Sequence, residues 1–327
     1  MNDNADRKME KIDIILDTDT YNEMDDQFAV LWALAASGQL SVRALTAAPF
    51  FNDRSVSPAD GMEKSYQELV RIAGLVDRES AGLIYRGAPG YLPDCRTPVI
   101  SPAAERIVEL AREAGRCGRR LKILGIAALT NVASALLIAP EIAEVVEVIW
   151  LGGQPYDWPT QDEFNFRQDV AAVRVVFESG ALLAHIPCIH GAETLIMTLP
   201  ELEERCFLPG RVGNYLRNLA VQFMRRGGSR IIWDISTVAY LCVPEAFVLD
   251  VVALPCLGAD GRWIAGSDSG RRARFVRHIE RDPVFDRLFD RLQELSDSSS
   301  PGLHRLAAPR GVFGDGESGY RQVPAIG

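Results

Sequence analysis

The chain has 327 residues, 47% of them hydrophobic and 24% charged, which is enough apolar material for a large core and excludes a disordered or fibrous class. A net charge of −9 opposes nucleic acid or an anionic membrane as principal partner, and suits a neutral small molecule or a cation. Scattered cysteines without a C-x-x-C pair, a polar start without an apolar leader and no apolar run of spanning length predict a soluble, cytoplasmic protein with free thiols and no membrane partner.

The first element is the branched apolar run Ile12 to Leu16, which reads as a strand buried on both faces of a parallel sheet. Asp17, Asp19, Glu23, Asp25 and Asp26 crowd the next ten residues. Phe28, Leu31, Trp32 and Ala35 then follow at helical spacing. The acids therefore lie in a loop between a strand's carboxyl end and a helix's amino end, where open α/β sheets bind ligands. No Lys or Arg lies between Lys11 and Arg43, so a bound metal ion best explains the crowding. Helix capping by Asp25 or Asp26 would employ only one of the acids.

Further strands are predicted at Val42 to Ala48, Gly82 to Gly87, Leu121 to Ala127, Val145 to Leu151 and Leu182 to Pro187. Helices between them are predicted from Ser57-Pro58 to about Gly74, from Ser101-Pro102 to about Ala114, from Leu129-Thr130-Asn131 to near Ala139, and from Val170 to Ser179. Residues 88–101 and 154–168 carry no periodicity and read as loops. Beyond Leu199 the rhythm turns helical, at about 200–205, 210–226 and 235–243. Strands at Val248 to Ala253 and Ala273 to Ile279 and a helix from Asp282-Pro283 to about Leu295 close the folded part. The alternation demands an open, mostly parallel central sheet with helices on both faces and a helical C-terminal cap, an α/β fold. One domain is expected over residues 11–296, with flexible termini at 1–10 and 297–327.

Four loops at the carboxyl ends of predicted strands carry polar groups suited to one site. They are the acid loop, Asn52 beside Phe50 and Phe51, Thr130-Asn131, and Glu163-Phe164-Asn165. Trp233-Asp234 returns to them at the front of a helix. Taken singly, each fits a cap or a surface turn; the shared end of the sheet joins them.

This ordered set resembles the calcium-dependent nucleoside hydrolases. The matching stretches are Ile14-Ile15-Leu16-Asp17-Thr18-Asp19, Asp25-Asp26, Leu129-Thr130-Asn131, Gly152-Gly153, Glu163-Phe164-Asn165 with Asp169, and Asp234. The resemblance implies a nucleoside hydrolase fold and cleavage of a ribonucleoside's N-glycosidic bond by water. It implies that Asp19, Asp26, the carbonyl of Thr130 and Asp234 hold one Ca2+, and that Asp19 is the base that deprotonates the attacking water. It implies that Asp25, Asn52, Glu163 and Asn165 bind ribose hydroxyls, with Asp17 a buttress behind them. The working form it implies is a homodimer or homotetramer.

Two departures from the family pattern stand out. Five residues, Thr20 to Met24, separate the acids where the family has a shorter Pro-Gly turn, which could bring Tyr21 and Glu23 into the pocket. Trp233 also replaces a His found in many pyrimidine-accepting members, which tilts the substrate towards purine nucleosides, with Phe51, Tyr91 or Trp158 on the opposite face of the base. His185 is expected to be structural, and His190 to lie near the rim.

Two other readings compete. A haloacid-dehalogenase-like, magnesium-dependent phosphatase would use Asp17 as nucleophile, but leaves Asp25, Asp26, Glu163 and Asp234 without a role. A nucleoside- or ribose-binding module without turnover would keep the pocket alone.

Overall fold

The structure is a computed structural model, and it describes residues 10–76, 80–206, 210–224 and 228–298. The expected flexible termini therefore fall almost wholly outside the described residues. Its centre is an eight-stranded sheet built from β1 (Ile12–Thr18), β2 (Leu40–Ala47), β3 (Ile84–Arg86), β4 (Leu121–Gly125), β5 (Val146–Leu151), β6 (Leu182–Ile186), β9 (Phe247–Ala253) and β10 (Arg272–Ile279). The order is β3-β2-β1-β4-β5-β6-β10-β9, parallel throughout except for the edge strand β9, which runs antiparallel to β10. This is the open, mostly parallel α/β sheet expected from the sequence, with one antiparallel edge strand.

Side-chain alternation on the strands divides the core in two. Ile14 and Leu16 of β1 pack with α1 (Asp26–Ala35), α2 (Pro58–Val76) and α10 (Arg281–Ser298) on one face. Ile15 points the other way, towards α3 (Pro102–Arg116), α4 (Thr130–Ile138) and α6 (Val170–Glu178). Because both faces are covered, the central strands read as continuous apolar runs rather than as alternating ones.

The chain leaves β1 between β2 on one side and β4 on the other, which is the point where strand order reverses. A crevice opens there beyond the strands' carboxyl ends. α9 (Ile235–Cys242) joins the first face of the core beside α1, which brings Asp234 over that crevice. Among the described residues no helix is long and apolar enough to cross a membrane.

Four elements differ from expectation. The strand expected to reach Ala127 ends at Gly125, and a turn leads from it into α4. The stretch read as loop contains α5 (Phe164–Gln168), a short helix held by its Glu163 cap. β7 (Ile196–Thr198) and β8 (Ser229–Ile231) form a separate antiparallel pair, the first just before the stretch read as helical and the second between two of its expected helices. Three residues are too few to show a period, and these two strands exist only by pairing with each other.

Candidate active site

Asp17, the penultimate residue of β1, is fully buried. Its Oδ1 accepts from Thr46 Oγ1 at 2.5 Å and from Asn131 Nδ2 at 2.8 Å. Burial pushes its pKa to about 6 despite both bonds. The acid side chains after it close over a cavity of about 320 Å3, at the lower end of the roughly 300–1,000 Å3 range of small-molecule sites. Asp19, Asn22, Glu23 and Asp25 line one part of it; Glu163, Phe164, Asn165, Cys188, Trp233 and Asp234 line others.

Carboxylate oxygens of Asp25, Asp26 and Asp234 lie within 4.8 Å of one another. Burial first, and then repulsion from its acidic neighbours, raises the pKa of Asp19, of Asp25 and of Asp234. Burial brings Asp26 to about 7, moderated by a hydrogen bond from Thr18. Asp25 stands at the N-cap of α1, but its side chain caps nothing; Oδ2 instead accepts Trp233 N–H at 3.1 Å. Asp19 is 2% exposed, and its Oδ2 has no hydrogen-bond partner. Buried, mutually repelling carboxylates with an unmet oxygen are what a hard divalent cation satisfies, and the donors are all oxygen, as calcium prefers. The residues present therefore fit such an ion.

The sequence-expected residues divide by position. Asp19, Asp25, Glu163, Asn165, Trp233 and Asp234 meet at the cavity, and Asp26 stands behind them in the carboxylate group. The tightest set of three contains Asp25 where Asp19 was expected; Asp19 lies beside it, close enough to feel the charges of Asp26 and Asp25. Thr130 and Asn52 are not part of the lining. Thr130 is buried at the start of α4 and donates through Oγ1 to Asp169 at 2.8 Å. Asn52 reaches the cavity through Asn22, whose Oδ1 accepts its amide at 2.6 Å. Glu163 lines the cavity while accepting from the N–H groups of Gly153, Asn165 and Phe166.

Residues 14–286 match the family model described as inosine-uridine preferring nucleoside hydrolase. The chain belongs to that family. It is 30% identical over 237 residues, 66% of this chain and 68% of the relative, to a probable ribonucleoside hydrolase of Dictyostelium discoideum. Its fold matches a purine-preferring ribonucleoside hydrolase from Gardnerella vaginalis with a TM-score of 0.69 at 17% identity, covering 88% of this chain and 99% of that one. An inosine-uridine preferring nucleoside hydrolase from Bacillus anthracis matches with a TM-score of 0.58 at 16% identity, over 88% and 99% of the two chains.

Within this nucleoside hydrolase family member, several expected contacts are corrected. Phe51 is half exposed and hydrogen-bonded through its backbone to Gln168; Tyr91 also bonds Gln168, and Trp158 packs edge-on against His190. None of the three lines the cavity, whose aromatic residues are Trp233 and Phe164. Phe164 stands between Glu163 and Asn165, and an aromatic residue inside a polar motif carries no local signal that it lines a cavity. Cys188, its thiol pKa pushed up by burial, had no sequence signal at all.

The phosphatase reading fails on geometry, because Asp17 is sealed behind Thr46 and Asn131 and does not line the cavity. His185 is structural, as expected. Its Nε2 sits 2.6 Å from the Gly152 carbonyl and so carries the proton, which leaves Nδ1 to accept from Tyr156 Oη at 2.9 Å. Burial lowers its pKa to about 4, so the ring is neutral at pH 7.

Proposed function

We propose that this chain hydrolyses ribonucleosides to free base and ribose and prefers purine nucleosides. The observation that carries the reading is buried Asp19, which lines the cavity with Asp25 and Asp234 and whose Oδ2 has no hydrogen-bond partner. In the proposed reaction the water oxygen bonds to ribose C1′ while the C1′–N bond breaks and its electron pair leaves with the base. Asp19 takes the proton from that water. The surrounding carboxylates stabilise positive charge developing on the sugar, as in O-glycoside cleavage.

Ca2+ is the cation assigned to Asp19, Asp26, Asp234 and the Thr130 carbonyl; when bound it offsets their repulsion and acidifies water. Asp25, Asn165 and Glu163 are assigned to ribose hydroxyls, with Asn52 acting through Asn22. Trp233 and Phe164 would hold the base, and Trp233 in place of a proton-donating His supports a purine, which can take its proton at a ring nitrogen. Among the described residues six acids and no Lys or Arg line the cavity, which opposes a phosphorylated substrate. Residues 11–296 would act as one cytoplasmic domain, assembled as a homodimer or homotetramer.

The test incubates the protein with inosine, guanosine or uridine, in calcium or in excess chelator, and follows reducing sugar. Metal-dependent release that vanishes in Asp19→Ala supports the reading. Tight nucleoside binding without release would replace it with a binding module.

A further inference from the structure

The longer acid loop brings Glu23 to the cavity, where its carboxylate pairs with Arg230 of β8. Arg230 lies three positions before Trp233 and four before Asp234, so the pair joins the loop to the segment that delivers both. A second bond runs beside it, from Trp233 N–H to Asp25 Oδ2. The outer side of the loop is braced as well. Arg54 stacks 4.7 Å from the Tyr21 ring and 4.8 Å from Phe223, and Arg230 lies over the same Phe223 at 5.6 Å. Arg54 Nε donates to the Tyr21 carbonyl, and Gln27 Nε2 to those of Thr20 and Glu23. Among the described residues no Lys or Arg lines the cavity, and the charge of Arg230 favours ionised Asp25.

We propose that Glu23 and Arg230 form a positioning clamp, which holds the acid loop against the β8–α9 junction and fixes how closely Trp233 and Asp234 face Asp25 and Asp26. The clamp uses Glu23 of the longer turn, which gives that acid a cationic partner at the edge of the carboxylate group. Both partners are partly exposed, so the pair adds little to global stability and acts instead on local geometry. Only the kinetic arm of its test rests on the hydrolase reading.

The test uses the full chain with Arg230→Gln, Glu23→Gln, the double variant and Arg230→Lys. Amide exchange at 20–24 and 230–235, including Trp233 N–H, should rise about ten-fold in either Gln variant with little change in melting temperature. The double variant should match either single one, and Arg230→Lys should recover most of the protection. KM for inosine should rise about ten-fold in Arg230→Gln, with kcat changed less. Unchanged exchange in both segments, or additive effects in the double variant, overturns the clamp. If the wild type hydrolyses no nucleoside, the exchange arm still decides it.

Discussion

His185→Gln should make the protein less sensitive to acid. In the wild type the folded-state pKa of His185 lies at about 4, below its ordinary 6.5, because burial penalises the charged ring. Between those values the unfolded chain binds a proton that the folded chain refuses. The contribution is therefore whole above pH 6.5 and is lost as pH falls through 6.5 towards 4. The gap corresponds to a limit of about 3 kcal/mol, and to about 2 kcal/mol between pH 7.5 and pH 5. No discount for solvent applies, since the ring is fully buried.

Gln can place N–H on the Gly152 carbonyl and oxygen against Tyr156 Oη, so it keeps both bonds without a titratable group. Urea unfolding of wild type and variant at pH 7.5 and pH 5, at one calcium concentration, isolates this residue, because the carboxylates cancel in the difference. At pH 7.5 the wild type should be the more stable. At pH 5 the difference should move in the variant's favour by about 2 kcal/mol. A difference that stays constant across that range would refute the assignment of a neutral, proton-refusing His185.

Four further outcomes follow from the site. Calcium should raise the melting temperature and chelator reverse it, by about 2.7 kcal/mol at a hundred-fold excess over Kd. Asp26→Asn should remove that response while making the metal-free protein more stable at pH 7, since burial pushes the Asp26 carboxyl up to about 7; a metal-free variant weaker than wild type contradicts the repulsion argument. Phe164→Ala should raise KM for inosine about 10- to 100-fold, the worth of base–aromatic stacking, with the same change for ribose-only ligands counting against stacking. Inosine 5′-phosphate should react at least about 100-fold more slowly than inosine, as like charges brought together cost several kcal/mol; comparable kcat/KM values would show that the acidic lining does not select charge.

The sequence alone determined the strand–acid loop–helix start, the parallel rhythm and the family pattern. Those signals are local: a branched apolar run, helical spacing after Asp26, and short polar motifs after strands. Asp169 as the start of a helix was equally legible, because its side chain accepts from Ala172 N–H three residues on. Tertiary structure decided what no local pattern encodes. Asp17 meets Asn131 across 114 positions, and Glu23 meets Arg230 across 207. The second pairing overturns the impression of an acid loop with no cation near it, since that cation arrives on a three-residue strand too short to have a period. The choice of Phe164 over Phe51, Tyr91 and Trp158 was likewise tertiary. Aromatic rings bury well in many places, and only the packed chain fixes which of them face the cavity.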